Sequence, residues 1–345
     1  MWGKFPRTFN ATTSVRGFVQ FVTLVTTGFP YARYSVSLIL QLNFSYHVGN
    51  IFNETVMKHK SLSSSAMLLD MNISVYTGRK QDKVTAEEVN LAKNTRSSKA
   101  ASVYKSLFVG DADLEAINSH AGKVRTWLYS VTLPWSDSGT RLVPTKAFFD
   151  ISHDLGEHEK EFDRLVQQFV TNYGVKISSQ AFKLGKLFNP VEYPTVEAIE
   201  HKFGLRYHFT PVPEAGDFRV DIPAEAAEQL KAKFEAATST RVREAMQEPW
   251  NRLYEEVQHI RDKMITKEDG KPQKLYQSML DNALGLCSTL KSLNILDDPD
   301  LEAARRALEL SLTNVDIKSL RESPEMRNSI ITKMDELKDK FSLDI

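Results

Sequence analysis

Along most of the chain, apolar residues recur every three to four positions, the spacing that lays one stripe along a helix. Thr85-Ala86-Glu87-Glu88 is a capping-box pattern that should open a first helix. Leu114, Ile117, Val124, Trp127 and Leu128 predict a second over about 113–130, ended by Pro134. Phe148, Phe149, Leu155, Phe162, Leu165, Val166, Phe169 and Val170 predict a longer third, with Thr145 as cap and Gly174 as stop. Thr195 should cap a short helix to Phe203. Asp221 and Pro223 then open a very long helical stretch through Leu230, Phe234, Val242, Trp250, Leu253, Val257, Ile260 and Met264, which Pro249 should kink or break. Lys267–Pro272 reads as a turn and Leu275–Leu293 as a helix. Asp298-Pro299 and Ser323-Pro324 each pair an N-cap with a proline at the first helical position, which predicts two more.

The period changes to two in a few places. Leu68, Leu69, Met71, Ile73 and Val75 read as a short strand or extended arm closed by Thr77-Gly78-Arg79. Leu205, Tyr207 and Phe209 alternate with Arg206, His208 and Thr210, and Phe218, Val220 and Ile222 alternate likewise. Pro211–Asp217 between them reads as a hairpin connection. The expected fold is mainly α with a minor β part: an elongated antiparallel hairpin or bundle of coiled-coil-like helices, carrying a small antiparallel β-hairpin.

Composition changes this picture little. The 345 residues can bury a core without metals or disulfides. The lone Cys287 excludes an intramolecular disulfide and any multi-cysteine zinc site. Lys and Arg total 44, as do Asp and Glu, so there is no global basic signal for nucleic acid.

Charge is unevenly placed. Residues 1–66 hold six basic residues (Lys4, Arg7, Arg16, Arg33, Lys58, Lys60) and one acid, Glu54, a net +5 that leaves −5 on the rest. The uncharged stretch Tyr34–Asn53 is long enough to cross a membrane, but Gln41, Asn43, His47 and Asn50 argue against insertion. The favoured reading is upstream sequence translated ahead of Met67; a weakly packed or disordered extension and a membrane or targeting element are the others. The expected organisation is therefore 1–66 as an atypical extension, 67–265 as a helical domain with a small β element, and 266–345 as a C-terminal helical segment packed on the long helices.

Little in the chain carries recognisable chemistry. Phosphate-loop, dinucleotide, nucleophile-elbow and zinc-protease motifs are missing from the sequence. His153, Glu157 and His158 come nearest to a metal motif, but Glu157 and His158 stand about 100° apart on a helix, so a solvated face is expected. Asp111, Asp113 and Glu115, like Asp297, Asp298 and Asp300, read as acids favoured at helix N-termini. Cys287 reads as a buried core thiol. Arg241, Arg243, Arg252 and Arg261 are interleaved with Glu244, Glu248, Glu255 and Glu256, as on a salt-bridged exposed face. Trp127, Trp135, Phe148 and Phe149 are expected in the core. No catalytic residue, cofactor or metal is expected.

The least generic segment is Leu133–Pro144, where Pro134, Trp135, Asp137, Gly139 and Arg141 pin a non-helical connection. It reads as a structural loop in which Trp135 plugs the core and Asp137 pairs with Arg141. Alternatively it is a docking surface anchored by Trp and Arg. Pro213, Gly216, Asp217 and Arg219 mark the expected hairpin as a second candidate surface.

The run Leu69–Arg79 resembles the start of an uncharacterised bacterial, phage and mobile-element family, domain-of-unknown-function family 3150. Pro134-Trp135 to Pro144, Leu187-Phe188-Asn189-Pro190 with Tyr193-Pro194, and Pro211-Val212-Pro213 with Gly216–Val220 resemble its later blocks in the same order. The resemblance covers about 67–265. It implies a cytoplasmic, non-enzymatic helical adaptor that works with a MoxR-type AAA+ ATPase and a von Willebrand A-domain protein. The long helices themselves leave a homo-oligomer, paired between chains, as a further expectation. The alternative the resemblance leaves open is a nucleic-acid-associated factor in mobile-element replication or recombination.

Overall fold

A computed structural model describes residues 62–97, 99–214, 223–265 and 273–341. Among these the chain is mainly helical with a small antiparallel sheet, as the residue pattern predicts. After one helical turn, α1 (Leu62–Ser65), the chain enters β1 (Ala66–Ser74). This strand is the centre of a four-stranded antiparallel sheet ordered β4–β5–β1–β6, with β4 at Leu133–Pro134, β5 at Arg141–Pro144 and β6 at Gly204–Pro211. Pairing sets Leu69 opposite Phe209, Met71 opposite Tyr207 and Ile73 opposite Leu205. These residues share one face because side chains alternate along a strand.

That face is covered by α3 (Ala112–Val131) and α4 (Phe148–Thr171). Leu69 and Val143 from the sheet meet Leu128, Ile151 and Leu155 in one core cluster. A larger cluster joins Ile117, Ala121 and Val124 of α3 to Phe162, Val166 and Phe169 of α4, with Leu205 of β6 beneath. Phe108 lies at its aromatic heart, its ring 5.4–5.7 Å from those of Phe169, Tyr173 and Tyr193. A two-stranded ribbon, β2 (Arg79–Gln81) with β3 (Tyr104–Ser106), has α2 (Lys83–Ala92) between its strands and leads straight into Leu107 and Phe108 of this core.

Several helix boundaries move for local reasons. Asp82, not Thr85, caps α2, accepting from both the N–H and hydroxyl of Thr85. Thr145 does not cap α4, because its hydroxyl donates to the Ser65 carbonyl and a 3-10 turn, Thr145–Ala147, precedes the helix. Gly174 does not stop it either: α4 ends at Thr171, and α5 (Tyr173–Leu184) runs through the glycine. Thr195 does cap α6 (Val196–Glu200).

The helix α7 (Ala224–Met264) spans 41 residues and continues through Pro249. An interior proline loses one backbone bond and crowds the preceding turn. Here Pro249 is buried on the same seam as Ala245, Met246, Leu253, Val257, Ile260 and Met264, so packing on both sides holds the helix together. The seam is covered by α8 (Gln277–Leu293), α9 (Pro299–Leu312) and α11 (Pro324–Phe341), with a short α10 (Ile317–Glu322) packed on α11. Asp298 and Ser323 cap α9 and α11 as expected. Arg261 of α7 bonds Asp335 of α11, and Trp250 lies near Phe341.

Candidate functional site

The segment 133–144 is a β-hairpin rather than a simple loop. Leu133 pairs with Leu142 and Pro134 with Arg141, and the Trp135 N–H donates to the Thr140 carbonyl at 3.2 Å. The Gly139 N–H reaches the Ser136 carbonyl, closing a four-residue turn over Ser136–Gly139. Gly139 has φ of +98°, which a side chain would strain although nothing crowds its Cβ position. At the tip Asp137, Ser138 and Gly139 are exposed, and the Ser136 and Ser138 hydroxyls bond each other at 2.7 Å.

The base of the hairpin is locked. Trp135 is buried, with the Arg241 guanidinium of α7 5.8 Å from its ring. Thr140 donates to Asp70 of β1, whose other oxygen lies 3.5 Å from His208 of β6. Asp137 therefore does not hold Arg141, which turns the other way. Arg141 Nε donates to the Thr132 hydroxyl, and its Nη2 donates to the carbonyls of Thr132 and Tyr129 at 2.9 and 3.4 Å. Arg252 of α7 reaches the same place, donating to Ser130, Tyr129 and Thr132 carbonyls at 2.5, 2.7 and 3.2 Å. These are the carbonyls that the end of α3 leaves without helical partners, and two cations there also match the helix dipole. Burial lowers the Arg141 pKa and Arg252 adds to the effect, while Glu248, bonded to Arg252, opposes it. An arginine stays charged regardless.

The site thus offers an exposed carboxylate and hydroxyls on a rigid stem. Arg252, Tyr129 and Thr132 are not legible as site residues from the sequence. The only signal is Arg252's spacing of four from Glu248, which reads as an ordinary helical pair. Of the second candidate surface, Pro213 is exposed just after β6; Gly216, Asp217 and Arg219 lie outside the described residues, as does the expected strand 218–222. The described partner of β6 is β1, 130 and more residues earlier in the chain.

Other candidate chemistry resolves into structure. His153 is exposed and Glu157 pairs with Lys160, while His158 packs edge-on to Trp127 at 4.8 Å. Among the described residues no cluster of three or more His, Cys, Asp or Glu could hold a metal ion. Asp111 caps α3 and, with Asp113, clamps Lys176 of α5 at 2.8 and 2.6 Å. Cys287 is buried, its Sγ 3.8 Å from the Arg305 carbonyl. Phe149 departs from expectation: it is 83% exposed rather than in the core. Among the described residues no helix is long and apolar enough to cross a membrane.

Comparison with protein-family models, curated proteins and solved structures gives no match.

Proposed function

We propose that the chain is a non-catalytic helical adaptor that docks protein partners through the tip of the β4–β5 hairpin. The observation that carries this is the contrast between stem and tip. Buried Trp135 and the two arginines fix the stem, while Asp137 and Ser138 project into solvent. A protrusion ordered in advance loses little conformational freedom on binding. The Ser138 hydroxyl is engaged by Ser136, but among the described residues Asp137 makes no side-chain hydrogen bond or ion pair, which suits a contact made with another molecule. The resemblance to the mobile-element family supports a MoxR-type AAA+ ATPase and a von Willebrand A-domain protein as the partners, in the cytoplasm. The ATPase would supply the nucleotide chemistry.

The test is co-purification of the tagged chain from its native host, alongside an Asp137→Lys variant. Recovery of such an ATPase at near-equal amounts, lost with the variant, is the expected result. Recovery unaffected by the tip variant would remove the hairpin from the reading. DNA recovered instead, and released by salt, would replace the adaptor with a nucleic-acid factor.

A further inference from the structure

Basic charge gathers on the β2–β3 ribbon and on α2 between its strands. Residues 79–105 hold seven lysines and arginines against three acids. One of the seven, Lys105, is drawn into the fold by Glu192 and the Leu187 carbonyl. The other six, Arg79, Lys80, Lys83, Lys93, Arg96 and Lys99, are exposed. Of the three acids, Asp82 is engaged as the α2 cap. Among the described residues no carboxylate pairs with any of the six exposed cations. Residues 1–61 hold six cations and one acid, so that part of the sequence brings almost no counter-charge to such a surface.

The cations stand in two groups on a rigid frame. Arg79, Lys80 and Lys83 lie on the ribbon and the first turn of α2. Lys93, Arg96 and Lys99 lie on the turn after it, about 15 Å away along ten helical residues. Asn90 fixes that turn: it is buried, and its side-chain oxygen accepts from the Ala101 N–H at 3.0 Å and the Thr95 hydroxyl at 3.2 Å. The ribbon closes the other end, where the Asp82 N–H donates to the Val103 carbonyl at 2.9 Å. Register sets Gln81 opposite Tyr104 and Arg79 opposite Ser106, so Arg79, Gln81 and Tyr104 share one face of the ribbon. Tyr104 is 64% exposed. A lone exposed ring needs no explanation, but this one stands with an amide and a guanidinium on a paired strand inside the basic surface.

We infer that this surface binds single-stranded nucleic acid, with the two groups of cations on its phosphates and the Tyr104 ring stacked on a base. Binding without sequence preference combines a basic track along the backbone with an aromatic platform for the bases. A single strand offers Tyr104 an unstacked base, whereas in a duplex the bases stack on one another. An acidic peptide would answer the cations but give the ring nothing to stack on. An anionic membrane would meet Glu87 and Glu88, both exposed on the helix that joins the two groups. The inference goes beyond the adaptor reading, does not depend on it, and uses a surface distinct from the hairpin tip.

The probes are fluorescein-labelled oligothymidylate and oligouridylate of about a dozen nucleotides, within the range of single-strand site sizes. They are titrated against the full chain by anisotropy between about 50 and 200 mM salt. Binding should weaken steeply with salt. Arg79→Gln should weaken it further and flatten the logarithmic salt slope by about 0.7, the share of one phosphate contact on a single strand. Tyr104→Ala should weaken binding about tenfold with the slope unchanged, and Tyr104→Phe should restore it. A duplex of the same length should be indifferent to Tyr104→Ala. Both substituted side chains are exposed, and far-UV circular dichroism confirms that the variants fold. Absence of binding to both strands at 50 mM salt would overturn the inference, as would single-strand binding untouched by Tyr104→Ala. Displacement of the strand by polyglutamate as readily as by unlabelled oligonucleotide would assign the surface to an acidic protein instead. Arg79→Gln should leave co-purification of a protein partner unchanged, so this surface and the hairpin tip fail separately.

Discussion

Arg141 and Arg252 come from different elements and donate to the same two carbonyls, those of Tyr129 and Thr132. Together they tie the end of α3, the hairpin stem and α7 into one joint. Two guanidinium groups this close repel each other, so their shared acceptors and Glu248 must offset the repulsion. Each charge-assisted bond contributes about 1.5–3 kcal/mol. Arg252→Ala should therefore lower stability by about 2 kcal/mol. Loss of Arg141 as well should cost more than the sum of the single changes, because either cation alone still serves the shared carbonyls and the mutual repulsion, relieved in each single variant, can be relieved only once in the double. Urea denaturation of the two single variants and the double variant measures the coupling. A simple sum would show that the two cations act independently.

His158 gives the fold a pH dependence. It packs against Trp127, and its carbonyl lies 2.9 Å from Nε2 of His120, whose ring is 5.5 Å away. Burial lowers its pKa, His120 lowers it further, and Asp154 on the same helix opposes both; Glu161 faces His120 from α4. The folded state therefore favours the neutral ring. The unfolded chain binds the proton more readily, so stability rises with pH across the window between the two values. The contribution is complete above the ordinary imidazole value near 6.5 and is lost as pH falls through the lowered one. Urea midpoints should fall from pH 7.5 to pH 5.5 in the parent chain and fall less in His158→Phe. An equal fall in both would assign the dependence to other groups.

The structure also shows where sequence patterns suffice. β1 and β6 are legible because Leu69, Met71 and Ile73, and Leu205, Tyr207 and Phe209, alternate with polar residues. Asp298-Pro299 and Thr195 are legible as caps because capping is a local interaction. The partner of β6 is not, since strand pairing joins distant segments and alternation names no partner. Thr145 and Gly174 mislead because a distant carbonyl, Ser65, claims the Thr145 hydroxyl, and because glycine is tolerated within a packed helix at modest cost. Arg141 is misassigned for the same reason: Asp137 is near in sequence, but the unsatisfied end of α3 holds more acceptors. The hairpin segment was legible as unusual, while its anchor, Arg252, lies more than 100 residues further along the chain.

The clamp of Lys176 by Asp111 and Asp113 is mostly buried, with the three side chains 13%, 8% and 18% exposed. Burial lowers the Lys176 pKa, but its bonds to the two carboxylates outweigh that, and the ammonium is held above its usual value. The resulting stabilisation is present below the ordinary lysine value and lost only as pH rises through the raised one, at strongly alkaline pH. Lys176→Met should cost about 3 kcal/mol by leaving two carboxylates uncompensated. Adding Asp113→Asn should recover part of that loss, because one stranded charge is removed while Asp111 continues to cap α3. Thermal midpoints of the single and double variants decide the matter; no recovery would place the cost in the lost contact of the ammonium with the Phe169 ring rather than in the stranded carboxylates.

Cys287 reports on the packing of the C-terminal helices. It lies on α8 with Leu280, Ala283 and Leu290 among the buried residues, and its thiol is 3.8 Å from the Arg305 carbonyl of α9. Burial pushes its pKa up to about 11, with nearby Glu309 and Glu256 raising it and Arg305 opposing them. Both the inaccessible sulfur and the scarce thiolate make it unreactive at neutral pH. Modification by a disulfide reagent should therefore be slow in the folded chain and complete on denaturation. Arg305 is itself held by Glu302 and Glu309, and Glu302 is lowered to about 2 by its bonds to Arg305 and Arg306. Glu302→Gln weakens that hold without touching the thiol. It should accelerate Cys287 labelling at pH 7.5, if opening of the α8–α9 contact exposes the sulfur. An unchanged labelling rate in this variant, with labelling still slow, would mean that the thiol is reached only through global unfolding.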